Sequence, residues 1–172
     1  MQTNRNIRLS LRDAIITNFQ AFGITNVYTE AQMRQVWQGT LTPVDPYIFF
    51  TDEFVQPQKT TLPLAVLEIN KVEGNAFELG NRAGREFDVD LHVFGQTRGQ
   101  REDIASYVQD AFPHGVTIYN YTSGSAGAST LGKIEMIDDS PTVTEEHIPD
   151  SKIEERSIYN WCRVTWRNRV LG

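Results

Sequence analysis

Cysteine is nearly missing from this chain: Cys162 stands alone, which excludes an internal disulfide and any multi-cysteine metal site. It is expected to pack as a small hydrophobe. Histidine is almost as scarce. His92, His114 and His147 are scattered, and none stands three to five residues from another candidate ligand in a recognisable metal pattern. Long apolar runs are absent too: no window approaches the roughly 18–20 apolar residues of a membrane span. The opening MQTNRNIRLSLRD lacks the apolar core of a signal peptide. The chain is expected to be made and kept in solution, with no membrane partner. Positive charge is also short. Sixteen Lys+Arg against 22 Asp+Glu leave a formal net charge of −6, which argues against the whole surface binding nucleic acid or an anionic membrane.

Catalytic signatures are lacking in the same way. The small-residue run Gly124-Ser125-Ala126-Gly127 is not G-x-S-x-G and does not lead from a hydrophobic strand into a helix. The phosphate-loop and dinucleotide glycine spacings do not occur. Asp138-Asp139 reads as two solvated acids in a polar loop. No catalytic residue, cofactor or metal is assigned from the sequence.

What is present is organised around Arg85 to Phe112, REFDVDLHVFGQTRGQREDIASYVQDAF. Phe87, Val89, Leu91 and Val93 alternate with Glu86, Asp88, Asp90 and His92, the period of two of a strand with one face on a core and one in water. Thr97 stands three residues before Gln100, a capping-box pattern. Ile104, Val108 and Phe112 then mark one helical face, and Pro113 stops the helix.

Residues 5 to 22 carry Ile7, Leu11, Ala14, Ile15, Phe19 and Phe22 at helical spacing, with Gly23 as the C-terminal cap. Thr29 to Gly39 repeats that grammar and predicts a short second helix, open to override by strand pairing. Thr40 to Pro63 holds four prolines around the aromatic stretch YIFFTDEF, Tyr47 to Phe54. It reads as an irregular, looping segment unable to serve inside a sheet. Its aromatics either plug the core or anchor an interface, which makes Tyr47, Phe49 and Phe50 candidate contact residues.

Leu64 to Val72 is a buried strand by composition, and turns at Glu73-Gly74-Asn75 and after Phe77 place it antiparallel to the 85–95 strand. Val116 to Tyr121 and Leu131 to Ile137 read as strands flanking a flexible loop, 122–130, which has little apolar surface to offset its ordering entropy. Residues 138–156 read as a polar excursion. The last strand, Ser157 to Leu171, puts Ile158, Cys162, Val164 and Trp166 on one face and Trp161, Arg163, Thr165, Arg167 and Arg169 on the other. The order of elements predicts a single α+β domain, 1–172, with a mixed, mostly antiparallel sheet and two main helices packed on one face.

Two rows of charge exceed what solubility demands: Glu86, Asp88, Asp90 and Arg163, Arg167, Arg169. As neighbours they pair across the sheet. On different surfaces they suit opposite sides of a subunit contact.

A leading amphipathic helix, then FDVDLHVFG running into REDIASYVQDAF, then VTIYNY and a long terminal strand, resembles the tail-terminator and related neck proteins of long-tailed bacteriophages. The resemblance spans residues 5–171. It implies a virion structural protein of the tail and neck, assembled in the host cytoplasm. Such a subunit forms a homo-oligomeric ring, usually a hexamer, that caps the tail tube protein and meets the head–tail connector protein, while DNA passes through the lumen without specific binding. On that reading Glu86, Asp88 and Asp90, or part of 138–155, face the lumen, and Arg163, Arg167 and Arg169 meet a neighbour. The alternatives are another neck component, a connector adaptor or stopper, and a small-ligand-binding α+β domain lidded by residues 47–54. A hydrolase using His92 with Asp90 lacks a nucleophile.

Overall fold

A computed structural model describes residues 4–52, 62–75, 84–111, 115–121, 127, 129–138, 141–145 and 160–171. Helix α1, Asn4–Ala21, buries Ile7, Leu11, Ile15 and Phe19 as its spacing predicts. It ends in a Schellman motif: Ile24 N–H donates to Phe19 O and Gly23 N–H to Gln20 O, with Gly23 at φ +95°. Strand β1, Asn26–Tyr28, leads into α2, Glu30–Trp37. There Thr29 and Gln32 form the expected capping box, and Gly39 at φ +75° repeats the Schellman ending. Strand β2, Tyr47–Thr51, and strand β3, Leu64–Asn75, precede β4, Gly84–Gly95. Helix α3, Arg98–Ala111, follows. Its Gln100 N–H donates to Thr97 Oγ1, while the Gln100 side chain reaches back one residue further, to the N–H of Gln96. The chain finishes with β5, Val116–Tyr119, β6, Thr130–Met136, β7, Thr142–Glu145, and β8, Asn160–Leu171.

The strands form one mixed sheet in the order β1-β2-β3-β4-β8-β6-β5, with β7 also paired to β8. β1, β2 and β3 run parallel, and the other pairings are antiparallel. The α+β single domain with two main helices on one face is therefore what the chain builds. α1 and α3 cover the face carrying Ile48, Leu67, Val89, Leu91, Val164 and Trp166. α1 touches both β5 and β1, near opposite ends of the sheet, so the sheet curls around it. α2 lies over the other face, where Met33 packs with Phe49, Leu64, Val66 and Phe94.

Three expectations change, the first being that Glu73-Gly74-Asn75 does not turn the chain but continues β3, paired with Glu86, Arg85 and Gly84. Tyr47–Thr51 is an inner strand between β1 and β3, because the prolines bracket those five residues without interrupting them and every β2 N–H remains available to the ladder. Within the 138–156 excursion, Thr142–Glu145 pairs with β8 as β7. β6 and β7 are successive stretches along one side of β8, joined by the Ile137 N–H bond to Arg167 O. Apart from Gly127, Ser129 and Thr130, the 122–130 loop lies outside the described residues, as do 146–156, Phe54, His114 and His147.

Edge strand β5 is closed by side chains of α1, which sequence reading missed. Tyr119 N–H donates to Ser10 Oγ at 3.0 Å and Tyr121 N–H to Asn6 Oδ1 at 3.1 Å. The Tyr121 hydroxyl donates to Asp13 Oδ2 at 2.6 Å. Burial, reinforced by that carboxylate, pushes the phenol up to about 12, so it stays a donor at neutral pH. Asn6, Ser10 and Asp13 fall at i, i+4, i+7, a polar row beside the apolar one. That spacing was the available signal.

Candidate functional site

The sheet face opposite α1 and α3 carries the charged rows, and pairing of β4 with β8 decides their meaning. Glu86 stands opposite Arg169, Asp88 opposite Arg167, Asp90 opposite Thr165 and His92 opposite Arg163. The two rows therefore lie side by side on one surface. Of the two arrangements the sequence left open, the structure shows the rows as neighbours, placed to pair across the sheet. Arg167 Nε is 3.3 Å from Asp88, and Arg169 Nη2 reaches Glu135 of β6 at 3.4 Å. These partners are half exposed.

Asp90 departs furthest from its expected role. It is 7% exposed, and its carboxylate accepts from Asn70 Nδ2 of β3 and Thr165 Oγ1 of β8. A buried carboxylate held on both oxygens fixes the register of three strands, since a one-residue slip would strand it without donors. His92 is also buried, and both of its ring nitrogens are taken, by Glu68 and Trp161. The pairing of His92 with Asp90 that a hydrolase reading needs is not made. Cys162 packs in the principal core, where burial pushes its thiol up to about 11; it stays protonated and inert near neutrality.

The aromatic candidates fare differently. Phe49 and Phe50 are buried on opposite faces of β2, Phe49 under α2 and Phe50 in the principal core, edge-on to Phe19. They are core residues and not contact residues, since alternation along a strand sends each into a different layer. Tyr47 is half-buried; its hydroxyl donates to Leu62 O, and burial raises it above the ordinary tyrosine range. Among the described residues no three His, Cys, Asp or Glu side chains converge where they would hold a metal ion. No helix among them is long and apolar enough to cross a membrane.

The remaining candidate surfaces are the sheet edges. Among the described residues, nothing pairs with the outer side of β1 or of β7. Of the exposed large hydrophobics, Val44 lies beside β1 and Val143 on β7, whereas Phe22, Tyr119 and Leu171 lie elsewhere. Val44, 62% exposed, is tied to β1 by its N–H bond to Tyr28 Oη and by Asn26 Nδ2 donating to its carbonyl. Trp37, 51% exposed, ends the helix that follows β1. Ile137 and Val143 lie at the other edge, exposed along the β6–β7 line. Arg101 of α3, itself 7% exposed, anchors β7 through a 2.8 Å bond to Glu145.

Charge reversal tests the sheet-face geometry. Arg163→Glu, Arg167→Glu and Arg169→Glu together should destabilise the isolated subunit by about 1–3 kcal/mol at low salt, because glutamates would then stand beside Glu86, Asp88 and Glu135. Raising salt to 1 M should recover most of that loss. A triple variant as stable as the parent in urea titrations at both salt levels would contradict the cross-strand pairing.

Compared with protein-family models and with curated protein sequences, the chain matches none.

Proposed function

We propose that this chain is a non-enzymatic structural subunit, a ring-forming tail terminator of a long-tailed phage virion that caps the tail tube and joins it to the head connector. The observation that carries the reading is a pair of sheet edges that have no strand partner among the described residues. β1 and β7 lie apart across β2, β3, β4 and β8, and each has exposed apolar side chains beside it. Natural sheets blunt such edges with charge, proline or covering elements, as α1 does at β5 through Asn6 and Ser10. Two unlike edges without a partner among the described residues suit heterologous, head-to-tail association, which closes into a ring when the rotation between copies permits. The element order that resembles neck proteins supports the same class, as does a net charge of −6, which would let DNA slide through a lumen without tight phosphate neutralisation. A connector adaptor or stopper is the neighbouring assignment within this class.

Native mass spectrometry across protein concentration, with negative-stain imaging, tests it. The expected result is a discrete multimer near six copies with an open centre. Val143→Lys and Val44→Lys each place a charge at an exposed edge position. Each should cut the assembled fraction at least tenfold while shifting the subunit's Tm by no more than about 2 °C, as for surface substitutions generally. A chain that stays monomeric with or without tail tubes, and whose Tm rises with a small-molecule ligand, would overturn the reading in favour of a ligand-binding domain.

A further inference from the structure

We infer that His92 is a proton-operated latch joining β3, β4 and β8, independent of any assembly. The indole Nε1–H of Trp161 is a donor only, and it lies 3.3 Å from His92 Nδ1. Nδ1 must therefore present a lone pair. The proton of the neutral ring then sits on Nε2, 3.0 Å from Glu68 Oε2, where it donates to the carboxylate. Two partners on two different strands thus fix one tautomer of a side chain that is 8% exposed. Nothing in the local sequence announces this: Glu68 and Trp161 stand 24 and 69 residues from His92.

A second proton has one place to go, Nδ1, and there it sets N–H against N–H. The bond to Trp161 is lost, whereas the bond to Glu68 becomes charge-assisted. The groups facing the ring divide in the same way. Glu68 on β3 and Asp90, two residues back on β4, favour the imidazolium, and Arg163, directly opposite on β8, opposes it. Protonation therefore tightens β3 on β4 and releases the start of β8 from β4. Trp161 stacks on Phe94 at 5.4 Å and belongs to the small core beneath α2, and its carbonyl accepts from the buried Arg101 of α3. Release at Trp161 consequently reaches both faces of the sheet. The latch is closed when His92 is neutral and opens on acidification.

Nitrogen-15 spectra of the whole labelled protein between pH 8 and pH 5 test this. At pH 8 His92 should show a protonated Nε2 and an unprotonated Nδ1. On acidification the Trp161 Nε1–H resonance should move in the same single step that protonates Nδ1, with Trp37 and Trp166 unmoved, and its hydrogen exchange should accelerate at least tenfold beyond the intrinsic pH dependence. In His92→Phe the acid step at Trp161 should vanish. The opposite tautomer at pH 8, a Trp161 resonance that ignores the titration of His92, or an acid step that persists in His92→Phe would each overturn the proposal. Should the variant fail to fold, the tautomer and the coupled step in the parent protein decide alone.

Discussion

Trp166→Ala should lower the free energy of unfolding by about 3–5 kcal/mol, the usual cost of emptying a large aromatic site in a packed core. Trp166 is fully buried at the middle of β8, opposite Val89 of β4 on the face that α1 and α3 cover. It packs in the principal core between strands and helices, so no single neighbour can collapse into the void. Trp166→Phe keeps most of the volume and should lose distinctly less. Urea titration followed by circular dichroism checks both. A loss below about 1 kcal/mol for the alanine variant would mean that Trp166 does not occupy the core as described.

Gly95→Ala should cost about 1–3 kcal/mol through overpacking, although the substitution adds one methyl group. A Cβ at Gly95 would stand 2.7 Å from Thr97 O and 2.8 Å from Arg101 N, and those two backbone atoms form the first bond of α3. Neither can swing aside as a flexible side chain would. The helix start must back away from β4, carrying Arg101 and its hold on Glu145 with it. Gly99→Ala supplies the opposite sign within the same turn. Nothing lies within 4 Å of a Cβ there, so alanine should stabilise by up to about 1 kcal/mol through helix propensity. Equal effects at the two positions, measured by thermal and urea unfolding, would contradict the close strand-to-helix approach.

The register between β4 and β8 changes what the charged residues do. Arginines on a solvated strand read naturally as a docking row, and acids on another strand as a repelling surface. Side by side they are placed to pair, as Asp88 and Arg167 do, and a cross-strand contact between half-exposed side chains contributes little stability but specifies pairing. Asp90 extends that function into the interior. On the proposed reading, contact capacity lies instead at β1 and β7, where the ladder lacks a partner among the described residues and Val44, Ile137 and Val143 are exposed.

The sequence by itself determined the elements whose signals are local. The apolar stripe of α1, the alternation of β4, the capping residues Thr29 and Thr97 and the terminating Gly23 and Gly39 each act within a few residues of where they stand. Periodicity and capping chemistry are local properties, so they could be read before any contact was known. Only the tertiary structure decided that Tyr47–Thr51 pairs inside the sheet, that Thr142–Glu145 joins β8, that the acidic and basic rows are neighbours, and that Glu68 and Trp161 close on His92. Each of those joins residues distant along the chain: the strand pairings through backbone hydrogen bonds that any sequence with intact N–H groups can make, and the His92 contacts through side chains that those pairings bring together. Which strand takes which neighbour is chosen by how all the apolar faces close together over α1 and α3, and no window of residues contains that choice.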